Sequence, residues 1–525
     1  MSVLSSVDLE WLKQLIASHG VQRVWAGLLA RHVAKSGSKF TYILENPLFD
    51  DYEDFEDDLL AGLSIGEIGV LYEFSVASAD AKARKNNGQF YTPDDIAQLL
   101  VREAMAFPEG VWLDPCSGIG NLSWHLVAAQ TNQEHFLLNN IILSDRDQLA
   151  LEIARVLFTI SFQQGTSDLY DQIENRFIRL DFLSIADNGS ETLFGRGRLD
   201  DIPEHDYVIV NPPYLGLKQE DSRFETAKAK DLYAYFLENI IKTSKGFVSI
   251  TPQSFTNAKK FESLRNLMLE NYSALKIYAF DNIPGNVFFG FKFGSENSNS
   301  ANSIRVAITI ANRFSKEKET TSLLRWRTEE RDQLIREIPN FLTNTELTSD
   351  FFPKVSKVFE GLYSEISSKP RLESILATRT TDHVLYIPGA PRYFISALKK
   401  PVTRASIKRV YFESEESLNM AYLVLNSSLT YWWWRVRDGG MTLSLETIKT
   451  VPLPEFSTST DLIKALEDSE QVNKVYKMNA GAQQENVKHP LELIAQLNDL
   501  VMPAYASKLI RTHLNSELYQ LAREK

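Results

Sequence analysis

Val111-Trp112-Leu113-Asp114-Pro115-Cys116-Ser117-Gly118-Ile119-Gly120-Asn121-Leu122 is the stretch that decides the fold. It reads as a short buried strand, a glycine turn and the start of a helix running on through Leu126 and Val127. Gly118 and Gly120 let the backbone come close to a ligand, and the helix that follows offers its first N–H groups. The turn lacks the Gly-Lys-Ser/Thr ending of a phosphate-cradling loop, and its GxG has no third glycine. A nucleotide-type loop is therefore expected, with a triphosphate an unsuitable guest.

Outward from this stretch, three more strand-like runs end in residues suited to a ligand. Ile141-Ile142-Leu143-Ser144-Asp145 ends in an acid where a ribose diol is usually held in such folds, with Asp147 next in line. Phe177-Ile178-Arg179-Leu180 leads into Asp181-Phe182, a carboxylate for an adenine amino group beside a ring for its face. Tyr207-Val208-Ile209-Val210 leads into Asn211-Pro212-Pro213-Tyr214. Proline removes backbone donors, so the Asn211 side-chain oxygen and the Pro212 carbonyl are two acceptors for one exocyclic NH2, and Tyr214 is a stacking surface. The competing reading makes each Asp a helix cap and Asn-Pro-Pro a rigid turn. In open α/β sheets ligands bind beyond the carboxyl ends of the strands, and four successive strands with such endings favour a site.

Taken in this order, Asp114-Pro-Cys-Ser-Gly-Ile-Gly, Asp145, Asp181-Phe182 and Asn211-Pro-Pro-Tyr214, the chain resembles the γ-class adenine-N6 DNA methyltransferases of restriction-modification systems, which use S-adenosylmethionine. Gly88-Gln89-Phe90-Tyr91-Thr92-Pro93 is similar to the family segment that closes over the methionine end of the cofactor. Asn286-Val-Phe288 is similar to the element that places an aromatic on the second face of a flipped base. The resemblance covers roughly residues 85 to 315. It implies an α/β fold with a Rossmann-like methyltransferase core. It implies catalytic roles for Asn211, Pro212, Tyr214 and Phe288, and cofactor contacts from Tyr91, Thr92, Pro93, Asp114, Pro115, Gly118, Gly120, Asp145, Asp181, Phe182 and Asn211. Two departures stand: Phe288-Phe289 in tandem leaves open which ring stacks, and Ser144-Asp145-Arg146-Asp147 has a shorter acid than the family often carries. Adenine-N6 transfer needs neither a metal nor a covalent intermediate, so Cys116 is read as small-residue packing.

The chain has 525 residues with 44% apolar content, enough for two or three domains with ordinary cores. One cysteine excludes an internal disulfide and a cysteine-rich zinc site. No apolar run reaches the length of a membrane span, and the first residues lack a basic stretch followed by an apolar core, so a cytoplasmic enzyme is the expectation. The net charge of −12 is awkward for a DNA binder, but its distribution is uneven. Seven acids fall between Asp50 and Asp58, whereas the run holding Lys399, Lys400, Arg404, Lys408 and Arg409 has no acid. The acidic run reads as a solvated surface. The basic run, beyond the core, reads as facing DNA or as an exposed strand and turn.

The expected organisation is an N-terminal helical region over residues 1–84, a methyltransferase domain over 85–318, a mixed α/β target-recognition domain over 319–460 and a helical tail over 461–525 that braces it. The polar stretch 294–302 reads as a loop, and Trp432-Trp433-Trp434 as core packing of a helix. Double-stranded DNA is the expected partner of a monomer or weak dimer, with restriction or phage-defence proteins as further partners. Other readings stay open: a modification subunit that borrows its specificity, an RNA or protein-glutamine methyltransferase, or a scaffold with a vestigial pocket. The chain has no Glu-x-Lys, and its one Asp-x-Lys is Asp80-Ala-Lys82 in an expected helix, which argues against a fused nuclease.

Overall fold

The computed structural model describes residues 9–79, 92–165, 168–184, 202–288, 304–391, 394–438, 440, 442–479 and 482–513. Tyr91, Phe289 and the polar stretch 294–302 lie outside them. Three helices open the chain, α1 (Leu9–His19), α2 (Val21–Ser36) and α3 (Ile65–Ala79). The core then alternates strands and helices: α4 (Asp94–Ala104), β1 (Trp112–Asp114), α5 (Asn121–Ala128), β2 (Ile141–Asp145), α6 (Gln148–Phe162), β3 (Phe177–Arg179), β4 (Tyr207–Val210), α7 (Leu232–Thr243), β5 (Gly246–Pro252), α8 (Glu262–Asn271), β6 (Ala274–Phe280) and β7 (Val306–Asn312).

These strands form one sheet in the order β3-β2-β1-β4-β5-β7-β6. β1 to β5 pair in parallel, and β7 inserts antiparallel between β5 and β6. A parallel sheet is covered on both faces, which is why its strands are near-continuous apolar runs. Successive residues of one strand go to opposite layers. Ile141 and Leu143 join a cluster with Leu100, Leu126 and Phe158, whereas Ile142 joins Leu237, Ile240 and Phe247. This is the Rossmann-like α/β core expected from the strand endings.

The sheet does not stop where the sequence reading ended the core at 318. β8 (Lys318–Leu324) pairs in parallel with β6, and β9 (Leu342–Asn344), which follows helix α9 (Arg331–Glu337), pairs antiparallel with β8. Trp326, Leu334, Ile338 and Phe341 pack into the same core as β1 and β2. The polar run that opens Lys318-Glu-Thr-Thr-Ser-Leu-Leu324 hides this strand from a search for apolar runs, although Thr320 and Thr321 are buried.

The N-terminal helices cluster with Ile119, Ala150, Ile153 and Leu157, so they pack on the glycine turn and on α6. A further unit follows β9, with a hairpin β10 (Val384–Pro388) and β11 (Ile407–Tyr411), helices α10 (Glu415–Asn426), α11 (Ser428–Arg437) and α12 (Thr460–Val472), strands β12 (Lys474–Asn479) and β13 (Ala482–Val487), and α13 (Leu491–Val501). Trp432, Trp433 and Trp434 are buried in its core, as read. The stretch from 461 is not helical throughout: β12 and β13 form an antiparallel hairpin between α12 and α13. The signal was Val475, Tyr476 and Met478 preceding Asn479-Ala480-Gly481, turn chemistry between two extended runs.

The two units meet at a buried carboxylate. Asp281, just beyond β6, is fully buried and accepts from Arg305 Nε at 2.8 Å, Arg325 Nη2 at 3.2 Å and Arg435 Nη1 at 3.0 Å. Arg435 comes from α11 and also donates to the Leu323 carbonyl at 2.7 Å. Burial alone would raise the Asp281 pKa, but Arg435, Arg305 and Arg325 outweigh it and lower it from 3.8 to about 2. Removing one partner of such a group leaves uncompensated buried charge. Asp281→Asn is therefore expected to cost about 3–5 kcal/mol at pH 7. Because the folded pKa is the lower one, this contribution is full above about pH 4 and is lost as pH falls toward 2. Chemical denaturation of both proteins at pH 7 and near pH 3 should show the gap narrowing in acid.

Candidate active site

The carboxyl ends of β1, β2 and β4 open into a cavity of about 220 Å³ lined by the residues that follow those strands. At its floor the glycine turn is held by Asp145. Its Oδ2 accepts from Gly118 N at 2.8 Å and its Oδ1 from Asp147 N at 2.9 Å. Burial raises the Asp145 pKa against these two bonds. Gly118 has φ +54° with nothing near a would-be Cβ, so a side chain there would be strained and would project into open space. At Gly120, φ is +85° and a Cβ would lie 2.8 Å from Phe158 and 2.9 Å from Leu143. The two glycines therefore answer to different constraints, one to the cavity and one to close packing.

Asp145 was expected at a ribose diol. Both its oxygens hold backbone, so within this structure its first task is to shape the turn. Asp147 caps α6 through Oδ1, and its Oδ2 accepts from Tyr72 OH at 2.7 Å. Asp181 is exposed and accepts from Leu183 N at 3.1 Å. Phe182 is buried and stacks on Phe236, centroids 5.4 Å apart, while still lining the cavity. Thr92, Asp114, Pro115, Gly118, Asp145, Asp181, Phe182, Asn211 and Pro212 all line the same cavity. Pro93 stands beside Thr92 as the N-cap of α4. Tyr91 lies outside the described residues.

Asp114 ends β1 fully buried, with Oδ2 accepting from Ser123 Oγ at 3.0 Å and Oδ1 making no hydrogen bond within the protein. Burial pushes its pKa up to about 7. A buried carboxylate oxygen without a donor, in a cavity that also presents Glu73, Asp145, Asp147 and Asp181, suits a cationic ligand bearing N–H donors. Sequence reasoning missed Tyr72 and Glu73, which reach the cavity from α3. The available signal was that helix's composition, apolar on most of its faces and therefore destined for burial against the core.

At the end of β4, Asn211 Nδ2 donates to Thr92 Oγ1 at 2.9 Å, and Asn121 Nδ2 donates to the Thr92 carbonyl at 2.8 Å. Cys116 Sγ donates to the Asn211 carbonyl at 3.3 Å. This is the packing role expected of the thiol, whose pKa burial pushes up. Tyr214 OH donates to the Ile250 carbonyl at 2.9 Å, fixing its ring. The Phe288 ring lies 6.2 Å from the Tyr214 ring, tilted by 55°. The structure thus brings Phe288 to the Asn211-Pro212-Pro213-Tyr214 segment, from which the sequence separates it by more than seventy positions. Phe288 meets Tyr214; Phe289 is outside the described residues.

The basic run lies in the C-terminal unit. Lys408 and Arg409 are on β11, Arg409 and Lys400 exposed. Lys399 Nζ is engaged by Glu467 at 2.6 Å and Asn419 at 2.9 Å, and Arg404 donates to Asn486. No group of three or more His, Cys, Asp or Glu among the described residues could hold a metal. None of the described helices is long and apolar enough to cross a membrane.

A doubly wound sheet with an acidic, glycine-turned cavity at its carboxyl edge and an Asn-Pro-Pro-Tyr at the central strand is an α/β domain of the methyltransferase class. Within that class, residues 139–288 match the family model of the Eco57I restriction-modification methylases. It is 25% identical over 228 residues to the Type II methyltransferase M.PstI of Providencia stuartii, a match covering 40% of this chain and 41% of that protein. The chain thus spans well under half the length of this curated relative. Among solved structures it is similar to the type IIG restriction endonuclease BpuSI, with TM-score 0.41 and 13% identity over 97% of this chain and 77% of that one. A type I restriction-modification methyltransferase subunit from Streptococcus thermophilus gives TM-score 0.33 and 16% identity over 60% and 67%.

The raised Asp114 pKa sets a pH test on the ligand-free protein. The unfolded chain ionises this carboxyl near 3.8 and the folded one near 7, so its burial erodes stability as pH rises from about 4 to about 7. Asp114→Asn, which still accepts from Ser123, should be close to neutral at pH 4.5 and stabilising at pH 8, by up to about 4 kcal/mol. Calorimetric unfolding of both proteins across that range checks this.

Proposed function

We propose that this chain is a site-specific DNA adenine-N6 methyltransferase, acting on an adenine swung out of double-stranded DNA with S-adenosylmethionine as methyl donor. The observation that carries the reading is the placement of Asn211 and Pro212 on the wall of the acidic cavity, with the Tyr214 and Phe288 rings beside them. One side of the β4 terminus faces a pocket for a cation. On the other side the Tyr214 and Phe288 rings lie 6.2 Å apart, tilted by 55°.

The bound cofactor would supply an electrophilic methyl group on a sulfonium. Asp114 would accept from its amino donors, and the Gly118 turn would let its chain lie against backbone. The part of this chain's residues is to present the amine. The exocyclic NH2 of adenine is a poor nucleophile because its lone pair is delocalised into the ring. The Asn211 side-chain oxygen and the Pro212 carbonyl accept its two N–H groups and favour a pyramidal nitrogen with the lone pair aimed at the cavity. Thr92 Oγ1 accepts from the Asn211 amide nitrogen at 2.9 Å and so positions the side chain. Tyr214 and Phe288 stack on the base and offset the few kcal/mol of flipping. Positioning and fixed dipoles carry the acceleration, and the alkylated nitrogen sheds its proton without a titrating base. Lys400, Lys408 and Arg409, with Lys399 and Arg404 behind them, make the C-terminal unit the part that meets DNA phosphates.

The test is transfer of labelled methyl from S-adenosylmethionine to unmethylated genomic DNA, followed by digestion to nucleosides. Labelled N6-methyladenine is expected. Asn211→Ala should lower the rate by at least about 100-fold at saturating cofactor, the scale of losing a fixed acceptor at the reacting atom. Methyl transfer to cytosine, RNA or protein overturns the reading, as does no transfer by a protein that binds the cofactor.

A further inference from the structure

Helix α9 begins with Arg331, a residue that carries none of the site's motifs. Its side chain is 15% exposed, and its guanidinium donates four hydrogen bonds. Nε and Nη2 form a two-pronged pair with Asp95 at 2.5 and 2.9 Å. Nη1 donates to the Asn286 carbonyl at 2.8 Å and Nη2 to the Val287 carbonyl at 2.9 Å. One planar cation therefore holds the two residues before Phe288 and, with the same plane, the first turn of α4. The segment from Asn286 is further folded by its own side chain, which accepts from Phe288 N at 2.8 Å.

The segment that leads into α4 belongs to the cavity. Three residues before Asp95, Thr92 lines it and holds both Asn211 and Asn121. Asp94 accepts from Ser64 Oγ at 2.6 Å and pairs with His125 Nε2 at 3.1 Å, tying the same turn to α5. The contacts form a closed ring: Asn211 to Thr92, along the chain to Asp95, through Arg331 to Asn286 and Val287, then Phe288 against Tyr214, three residues beyond Asn211.

We infer that Arg331, paired with Asp95, is a positioning residue that couples the cofactor cavity to the loop carrying the stacking ring. This inference rests on the proposed function for the identity of the ligands. Filling the cavity orders Thr92 and the start of α4, and Arg331 passes that order to Asn286 and Val287, setting Phe288 at the distance a base needs. A lysine cannot replace it fully, because only a guanidinium reaches a carboxylate with two parallel bonds and two carbonyls in one plane. Coupling of this kind is reciprocal, so a base bound beside Phe288 would in turn tighten the cavity.

The test is amide hydrogen exchange read by mass spectrometry on the full chain, with and without S-adenosylhomocysteine. In the natural protein the ligand should slow exchange both at 114–121, in the cavity, and at 281–288, in the loop. In Arg331→Ala the slowing at 114–121 should persist while that at 281–288 falls at least about fivefold, the low end of ordinary coupling between sites. Arg331→Lys should retain part of it. Should Arg331→Ala fail to fold, Asp95→Asn, which keeps the shape and drops the carboxylate charge, should show the same selective loss. Unchanged protection of 281–288 in the variants overturns the inference and leaves the proposed function standing, as does its absence in the natural protein. Absence of protection at 114–121 in the natural protein removes the cofactor reading and the inference with it.

Discussion

One buried carboxylate organises the working edge of this protein. Asp145 ends β2 and accepts from two backbone N–H groups, one in the turn after β1 and one in its own turn. A left-handed glycine at 118 exposes backbone polar groups that a dry sheet edge would otherwise leave without partners, at a cost comparable to a lost hydrogen bond. Asp145 meets that demand, at the expense of burying its own charge. Once the turn is set, α5 starts at Asn121, whose side chain holds Thr92, and Thr92 holds Asn211. The position of the candidate reacting residue is thus traced through three hydrogen bonds to one aspartate.

The second constraint is the junction between the two units. Asp281 gathers arginines from just after β8, from just before β7 and from α11 at the point where β6 gives way to the loop that carries Phe288. A buried ion pair is seldom the most stabilising choice and fixes geometry instead, since hydrogen-bonded charges tolerate no sliding. Here it fixes how the C-terminal unit sits against the catalytic edge. The same loop is therefore held at its start by Asp281 and near its end by Arg331, with Trp326 packed under Gly285 between them.

The fold was legible because a parallel sheet leaves a strong trace. Val208, Ile209 and Val210, or Ile141, Ile142 and Leu143, are buried on both faces and read as unbroken apolar runs. Their carboxyl ends must carry the site, so the motif residues could be read from order alone. β8 was lost for the opposite reason: its buried threonines satisfy their hydroxyls internally, Thr320 on the Pro353 carbonyl and Thr321 on Ala279 N, and look like surface in the sequence. The Asn211–Thr92 bond and the Arg331 clamp link positions more than a hundred residues apart, or held by backbone carbonyls that any residue supplies. No local pattern encodes such partners. Asp145 shows a subtler limit: it lines the cavity, but its bonding to backbone follows from a turn conformation that only coordinates reveal.

Charge separates the two halves of the proposed reaction. The cavity presents Glu73, Asp114, Asp145, Asp147 and Asp181 and favours a cation. The same carboxylates repel phosphate, so a duplex cannot enter, and only a neutral base detached from its stack can approach the β4 terminus. Basic residues are placed instead on β11 and its neighbours, away from the cavity, where Lys400 and Arg409 are exposed. The net charge of −12 is thus no obstacle to a DNA substrate. Five of the 68 acids line the cavity, where a sulfonium would need them, and others are paired elsewhere, as Asp58 is with His32 at 2.9 Å. In the proposed reaction, extrusion of a single base would let the duplex keep to the basic surface while one base reaches the β4 terminus.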